Sequence, residues 1–101
     1  MARSPSLERV YIVTYDIGDP KRWRRVFRAM NGYGRWLQLS VFQCRLTARR
    51  RAELGASLER LIKREEDHVV IIDVGPADAV NLAVGSLGRP FTPIVREAIV
   101  I

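Results

Sequence analysis

The order of apolar and polar positions divides the chain into short segments of two kinds. Residues 10–16, Val-Tyr-Ile-Val-Thr-Tyr-Asp, are mostly β-branched or aromatic, the types that fit a pleated surface, and predict a first strand. The strand runs straight into an acidic turn, Asp16-Ile17-Gly18-Asp19-Pro20. Asp19 is placed to cap a helix, with Pro20 at its first position, where a missing N–H costs nothing. Trp23, Val26, Phe27 and Met30 fall at i, i+3, i+4 and i+7, one apolar face of a helix that runs to about residue 30. Asn31-Gly32 is its stop signal.

Residues 36–46 form a second extended stretch, either one long strand or two short ones in a hairpin about Leu39-Ser40. Thr47 then caps a second helix over 48–64, with Leu54, Leu58, Leu61 and Ile62 as its apolar stripe. Residues 68–74 are almost continuously apolar, which predicts a central strand with both faces covered. Gly75-Pro76 ends it, and 79–84 reads as a further strand. Residues 90–93 hold two prolines and read as irregular. The apolar end, 97–101, reads as a strand contacting another copy of the chain.

The order strand, helix, one or two strands, helix, strand predicts an α+β fold, two helices on one face of an antiparallel sheet. If 36–46 divides in two, the plan is the ferredoxin-like β-α-β-β-α-β sandwich. The expectation is a single domain over 1–101, in which 86–101 is a C-terminal extension at a protomer interface.

Composition narrows the function. At 101 residues the chain supports one modest core. No segment approaches the roughly 20 apolar residues of a membrane span, and the polar start lacks a signal core, so a cytoplasmic protein is expected. The lone Cys44 excludes an internal disulfide and, with His68 the single histidine, a cysteine-based zinc site.

Net charge is +6, carried by 15 Arg and 2 Lys. Arginine forks match phosphate geometry, whereas a merely solvated basic face is the ordinary reading of such charge. Placement favours the first. Lys21, Arg22, Arg24, Arg25 and Arg28 share one helix, and Arg35, Arg45 and 49–51 lie near the turns that flank the strand ends, with few acids between them. Arg49, Arg50 and Arg51 oppose the dipole of the second helix, so helix stability does not explain them. No RNA-recognition signature of aromatics and glycines is present.

Asp16 is the strongest candidate for chemistry. A carboxylate ending a buried strand loses hydration and needs a partner, a proton or a metal. A Mg²⁺ ion is held by one or two carboxylates plus waters and phosphates, and a twofold dimer would supply two. On residue type alone, hydrogen bonds within the turn or an arginine partner remain the commoner use of Asp16. Asp73 reads as a turn residue, His68 as a strand-edge histidine and Cys44 as a core residue.

Tyr15-Asp16-Ile17, Arg22 and Arg25, Tyr33-Gly34 and above all Gln38-Leu39-Ser40-Val41-Phe42 together resemble CRISPR-associated protein family two, the small subunit of the spacer-acquisition machinery. The chain departs from that pattern where Arg35 directly follows Gly34 and where Gln43 replaces an acid. The resemblance implies a ferredoxin-like homodimer in which Asp16 faces its symmetry mate and binds Mg²⁺. It also implies a metal-dependent endonuclease acting on single-stranded RNA or double-stranded DNA, and a partner integrase whose captured duplex the protein holds. Arg22, Arg25, Arg28 and Arg35 would then contact nucleic acid. Two other readings share the fold: a regulatory module binding a small anionic ligand between protomers, and a toxin-like ribonuclease.

Overall fold

The computed structural model describes residues 7–88. The elements are β1 (Glu8–Asp16), α1 (Pro20–Asn31), β2 (Gly34–Gln38), β3 (Val41–Thr47), α2 (Ala48–Leu61) and β4 (His68–Pro76). The strands form one sheet in the order β2-β3-β1-β4, and every pairing is antiparallel. This is the ferredoxin-like β-α-β-β-α-β plan, and the stretch 36–46 is a hairpin.

Each element has a local cause. Asp19 accepts a hydrogen bond from the Arg22 amide at 2.9 Å, and Pro20 occupies the first turn. Thr47 Oγ1 caps α2 by accepting from the Arg50 amide at 3.1 Å. The hairpin turns at Leu39, whose φ is +39°, and Ser40. Gly34 is required on β2: a Cβ there would stand 2.4 Å from Cys44 Sγ and 2.7 Å from the Gln43 carbonyl oxygen.

Strand alternation sorts the sheet into two unlike faces. One carries Tyr11, Val13 and Tyr15 of β1 with Phe42, Cys44 and Leu46 of β3, and it packs against Val26, Phe27 and Met30 of α1 and Leu54 and Leu58 of α2. Burial pushes the Cys44 thiol up to about 11, as a core cysteine requires. The other face carries Ile12 and Thr14 opposite Ile72 and Val70, and among the described residues no helix covers it. Val70 is 38% and Ile72 49% exposed.

Three expectations are corrected here. Among the described residues β4 is not central: it pairs only with β1 and stands at one edge of the sheet. Its apolar run arises because both faces are apolar, with Val69 and Ile71 turned to the core and Val70 and Ile72 turned away. Second, 79–84 forms no strand; Leu82 and Val84 are exposed and unpaired with the sheet. Third, α2 ends at Leu61, because Ile62 is already extended at ψ 161°. The expected irregular segment at 90–93 and terminal strand at 97–101 lie outside the described residues.

Candidate nucleic-acid interface and carboxylate corner

Asp16 closes β1 at a corner of the sheet, on its uncovered face, directly across the ladder from His68 of β4. It is exposed, not buried as the strand pattern suggests, because the last residue of the strand lies beyond the helix-covered core. No side-chain hydrogen bond or ion pair reaches Asp16 from the other described residues. The turn that follows uses a different acid.

That acid is Asp67, which precedes β4. Its side chain is wholly buried, at 0% exposure. It accepts from the Gly18 amide at 2.9 Å, the Lys63 amide at 2.7 Å, Arg22 Nε at 2.8 Å and Arg22 Nη2 at 3.0 Å. Arg22 Nη2 also reaches Glu66 at 3.0 Å. The Asp67 carboxyl is held well below the usual carboxylate range, first by the Arg22 fork and then by the two backbone amides, against the opposing effect of burial. The cluster ties the β1–α1 turn to the α2–β4 connection and fixes the backbone on either side of the Asp16–His68 pair. Sequence reasoning missed Asp67. The available signal was an acid placed directly before an apolar strand, in a chain with an excess of arginine.

The Gln38 to Phe42 motif also has a structural reason. Ser40 Oγ accepts from Trp23 Nε1 at 2.8 Å, and the Ser40 carbonyl accepts from the Tyr15 amide at 3.2 Å. Trp36 Nε1 donates to the Leu39 carbonyl at 3.0 Å. Phe42 lies against Phe27, with centroids 5.4 Å apart in edge geometry, and faces Tyr15 at 6.3 Å. The hairpin thus buttresses the end of β1, one residue before Asp16. The Tyr15 hydroxyl is buried and has no hydrogen-bond partner among the described residues.

The cations fall into two groups. Arg22 is committed to Asp67 and Glu66. Arg45 pairs with Glu8 at 2.8 Å and Arg49 with Glu53 at 3.5 Å. Arg50 donates to the Gly32 carbonyl at 2.8 Å and lies over the Tyr33 ring at 4.5 Å. Arg51 lies over the Tyr11 ring at 5.8 Å. The basic first turn of α2 is therefore explained by contacts to the end of α1 and to β1. By contrast Arg25, Arg28 and Arg35 are exposed and make no ion pair with other described residues. Arg24 lines a depression of about 370 Å³ with Ile17, Gly18, Pro20 and Trp23, beside the Asp16 turn. α1 carries no acid to offset its cations. Arg25, Arg28 and Arg35 are thus left open to solvent, while Arg22 braces the corner.

Two other candidates are not brought to Asp16. Asp73 lies opposite Tyr11, further along the strand, and its two oxygens accept from Arg9 Nε at 3.0 Å each. Cys44 is sealed in the core. Among the described residues no group of three or more His, Cys, Asp and Glu is arranged to hold a metal. One chain offers a single hard oxygen donor at Asp16, which fits Mg²⁺ only in company with a second carboxylate or with substrate phosphates. No helix among the described residues is long and apolar enough to cross a membrane.

Comparison with known proteins follows the same lines. Residues 9–81 match the family model described as CRISPR associated protein Cas2. A protein of Rhodospirillum rubrum named CRISPR-associated endoribonuclease Cas2 1 is 56% identical over 99 residues, covering 98% of this chain and 97% of its own length. One from Geobacter sulfurreducens, named CRISPR-associated endoribonuclease Cas2, is 48% identical over 95 residues, covering 94% of this chain and all of its own. A solved Cas2 crystal structure superposes with a TM-score of 0.70 at 33% identity, covering 87% of this chain and 95% of that one.

Proposed function

The chain belongs to the CRISPR-associated protein Cas2 family, and from that premise we propose that it is a homodimeric nucleic-acid-binding protein of CRISPR adaptation that hydrolyses phosphodiester bonds. The observation that carries the proposal is the uncovered sheet face, which bears exposed Val70 and Ile72 and ends in an Asp16 that other described residues leave unpartnered. An apolar face of this kind calls for a partner surface. A twofold mate on this face would bring a second Asp16 to the first, because an isologous contact repeats each residue across its axis.

The exposure and pairing of these side chains support a division of labour. The two Asp16 carboxylates, one from each protomer, would together hold a Mg²⁺ ion. A divalent ion there supplies charge neutralisation of the phosphate and an acidified water. Arg25, Arg28 and Arg35 hold the backbone of single-stranded RNA or double-stranded DNA. Arg22 and Asp67 fix the turn that presents Asp16. The names of the relatives favour cleavage of RNA; the basic first helix suits either nucleic acid. In adaptation the same cations would hold the duplex that an integrase partner receives.

The test is Asp16→Asn in the full chain. Mg²⁺-dependent cleavage should fall to background while the dimer persists by sedimentation. Cleavage at the wild-type rate would remove Asp16 from the reaction. Duplex binding should weaken linearly in log affinity against log salt, as phosphate contacts demand. No binding at low salt would favour the regulatory module with a small anionic ligand. Spacer integration that survives Asp16→Asn, assayed with the integrase, would assign the protein an architectural role there.

A further inference from the structure

The ladder between β1 and β4 places Asp16 directly opposite His68. Opposed residues in an antiparallel pair hold their Cβ atoms about 4.5–5.5 Å apart on the same face of the sheet. One ion bound at about 2.0–2.2 Å from an imidazole nitrogen and a carboxylate oxygen can span such a pair. Both residues are exposed, and no hydrogen bond or ion pair from another described residue occupies either side chain.

The backbone that presents them is held from both strands by one group. Asp67, the residue before His68, accepts from the amide of Gly18, two residues beyond Asp16, at 2.9 Å. The Asp67 amide in turn donates to the Lys63 carbonyl at 2.9 Å. The two facing side chains therefore stand on strand ends fixed to each other, the support that a ligand pair needs.

We propose that His68 is a nitrogen ligand to the divalent ion held by Asp16, so that each chain contributes an oxygen–nitrogen pair. The inference rests on the reading of Asp16 as a metal ligand. It changes the class of ion. An all-oxygen site suits Mg²⁺, whereas an imidazole in the set moves the preference toward first-row transition ions, Co²⁺ or Ni²⁺ more than Mn²⁺, which is the weakest of them and serves as the paramagnetic probe.

His68 is the single histidine of the chain, so its ring protons can be read in a one-dimensional NMR spectrum without assignment. The experiment titrates Mn²⁺ into the full-length protein and follows His68 line broadening, with free Mn²⁺ counted by EPR. Substoichiometric Mn²⁺ should broaden the ring signals in the wild type. His68→Ala should weaken Mn²⁺ binding on the order of 10-fold or more and weaken Mg²⁺ binding by less. Asp16→Asn should abolish both the binding and the broadening. Unchanged Mn²⁺ affinity in His68→Ala would overturn the role of His68 and leave Asp16 standing, because Mn²⁺ at Asp16 broadens a ring across the ladder whether or not that ring is a ligand. Broadening that persists in Asp16→Asn would show histidine binding alone and overturn the pair. No Mn²⁺ or Mg²⁺ binding by the wild type would overturn the Asp16 reading itself.

Discussion

Asp16 and Asp67 lie on either side of the same corner, and their surroundings are opposite. Asp67 is out of contact with solvent and accepts four hydrogen bonds, two from backbone amides and two from one guanidinium. Asp16 is exposed and accepts none from another described side chain. Residue type does not separate them, and neither does position, since each stands at a strand end. The number of internal donors aimed at the carboxylate does. A carboxylate saturated from within serves the fold; one left unmatched at the same corner is available to something from outside.

That contrast can be broken most severely at Asp67. Asp67→Asn keeps the shape but leaves Arg22 facing a neutral amide inside the turn, and should lower Tm by at least roughly 5 °C. A calorimetric scan that shows no change would mean the clamp is replaceable. The same residue predicts the acid limb of stability. With its folded pKa depressed, Asp67 stabilises fully above the ordinary carboxylate value, about 3.9. That contribution is lost as pH falls, because the unfolded chain binds a proton that the folded chain does not. Wild-type and Asp67→Asn Tm values should therefore converge below about pH 4. Asp19, held low chiefly by the Arg22 amide, acts with the same sign, so a shallower acid slope remains in the variant.

Ser40→Ala should come next. It strips the Trp23 indole N–H of its partner and should cost about 1 kcal/mol in denaturant unfolding. The smallest effect on stability belongs to Asp16→Asn, within about 0.5 kcal/mol of wild type, although its effect on cleavage should be complete. A destabilisation as large as that of Asp67→Asn would erase the distinction between the two acids.

The fold was largely legible in the sequence because its signals are local. Asp19-Pro20 and Thr47 start helices by their own side chains, and the spacing of Trp23, Val26, Phe27 and Met30 marks a buried face. What the sequence could not give was non-local. Whether an apolar run such as 68–74 is covered by its own chain depends on strand order, and among the described residues β4 stands at an edge. The partnership of Arg22 with Asp67 spans 45 positions, and that of Asp16 with His68 depends on ladder register. Both were invisible to spacing, so the sequence did not show that Arg22 braces the turn. The motif Gln38 to Phe42 was legible as a pattern, but its reason, a hydroxyl for Trp23 and a carbonyl for Tyr15, was not.

The hairpin turn at Leu39 and Ser40 also has a spectroscopic consequence. The chain holds two tryptophans, and the indole N–H of each donates to this one two-residue turn, Trp36 to the Leu39 carbonyl and Trp23 to the Ser40 hydroxyl. Their emission is therefore a single local gauge. Because the Ser40 carbonyl also receives the Tyr15 amide, that gauge is wired to the strand end carrying Asp16. Intrinsic fluorescence of the unlabelled protein thus reads the state of the corner directly, with no dye and no added residue.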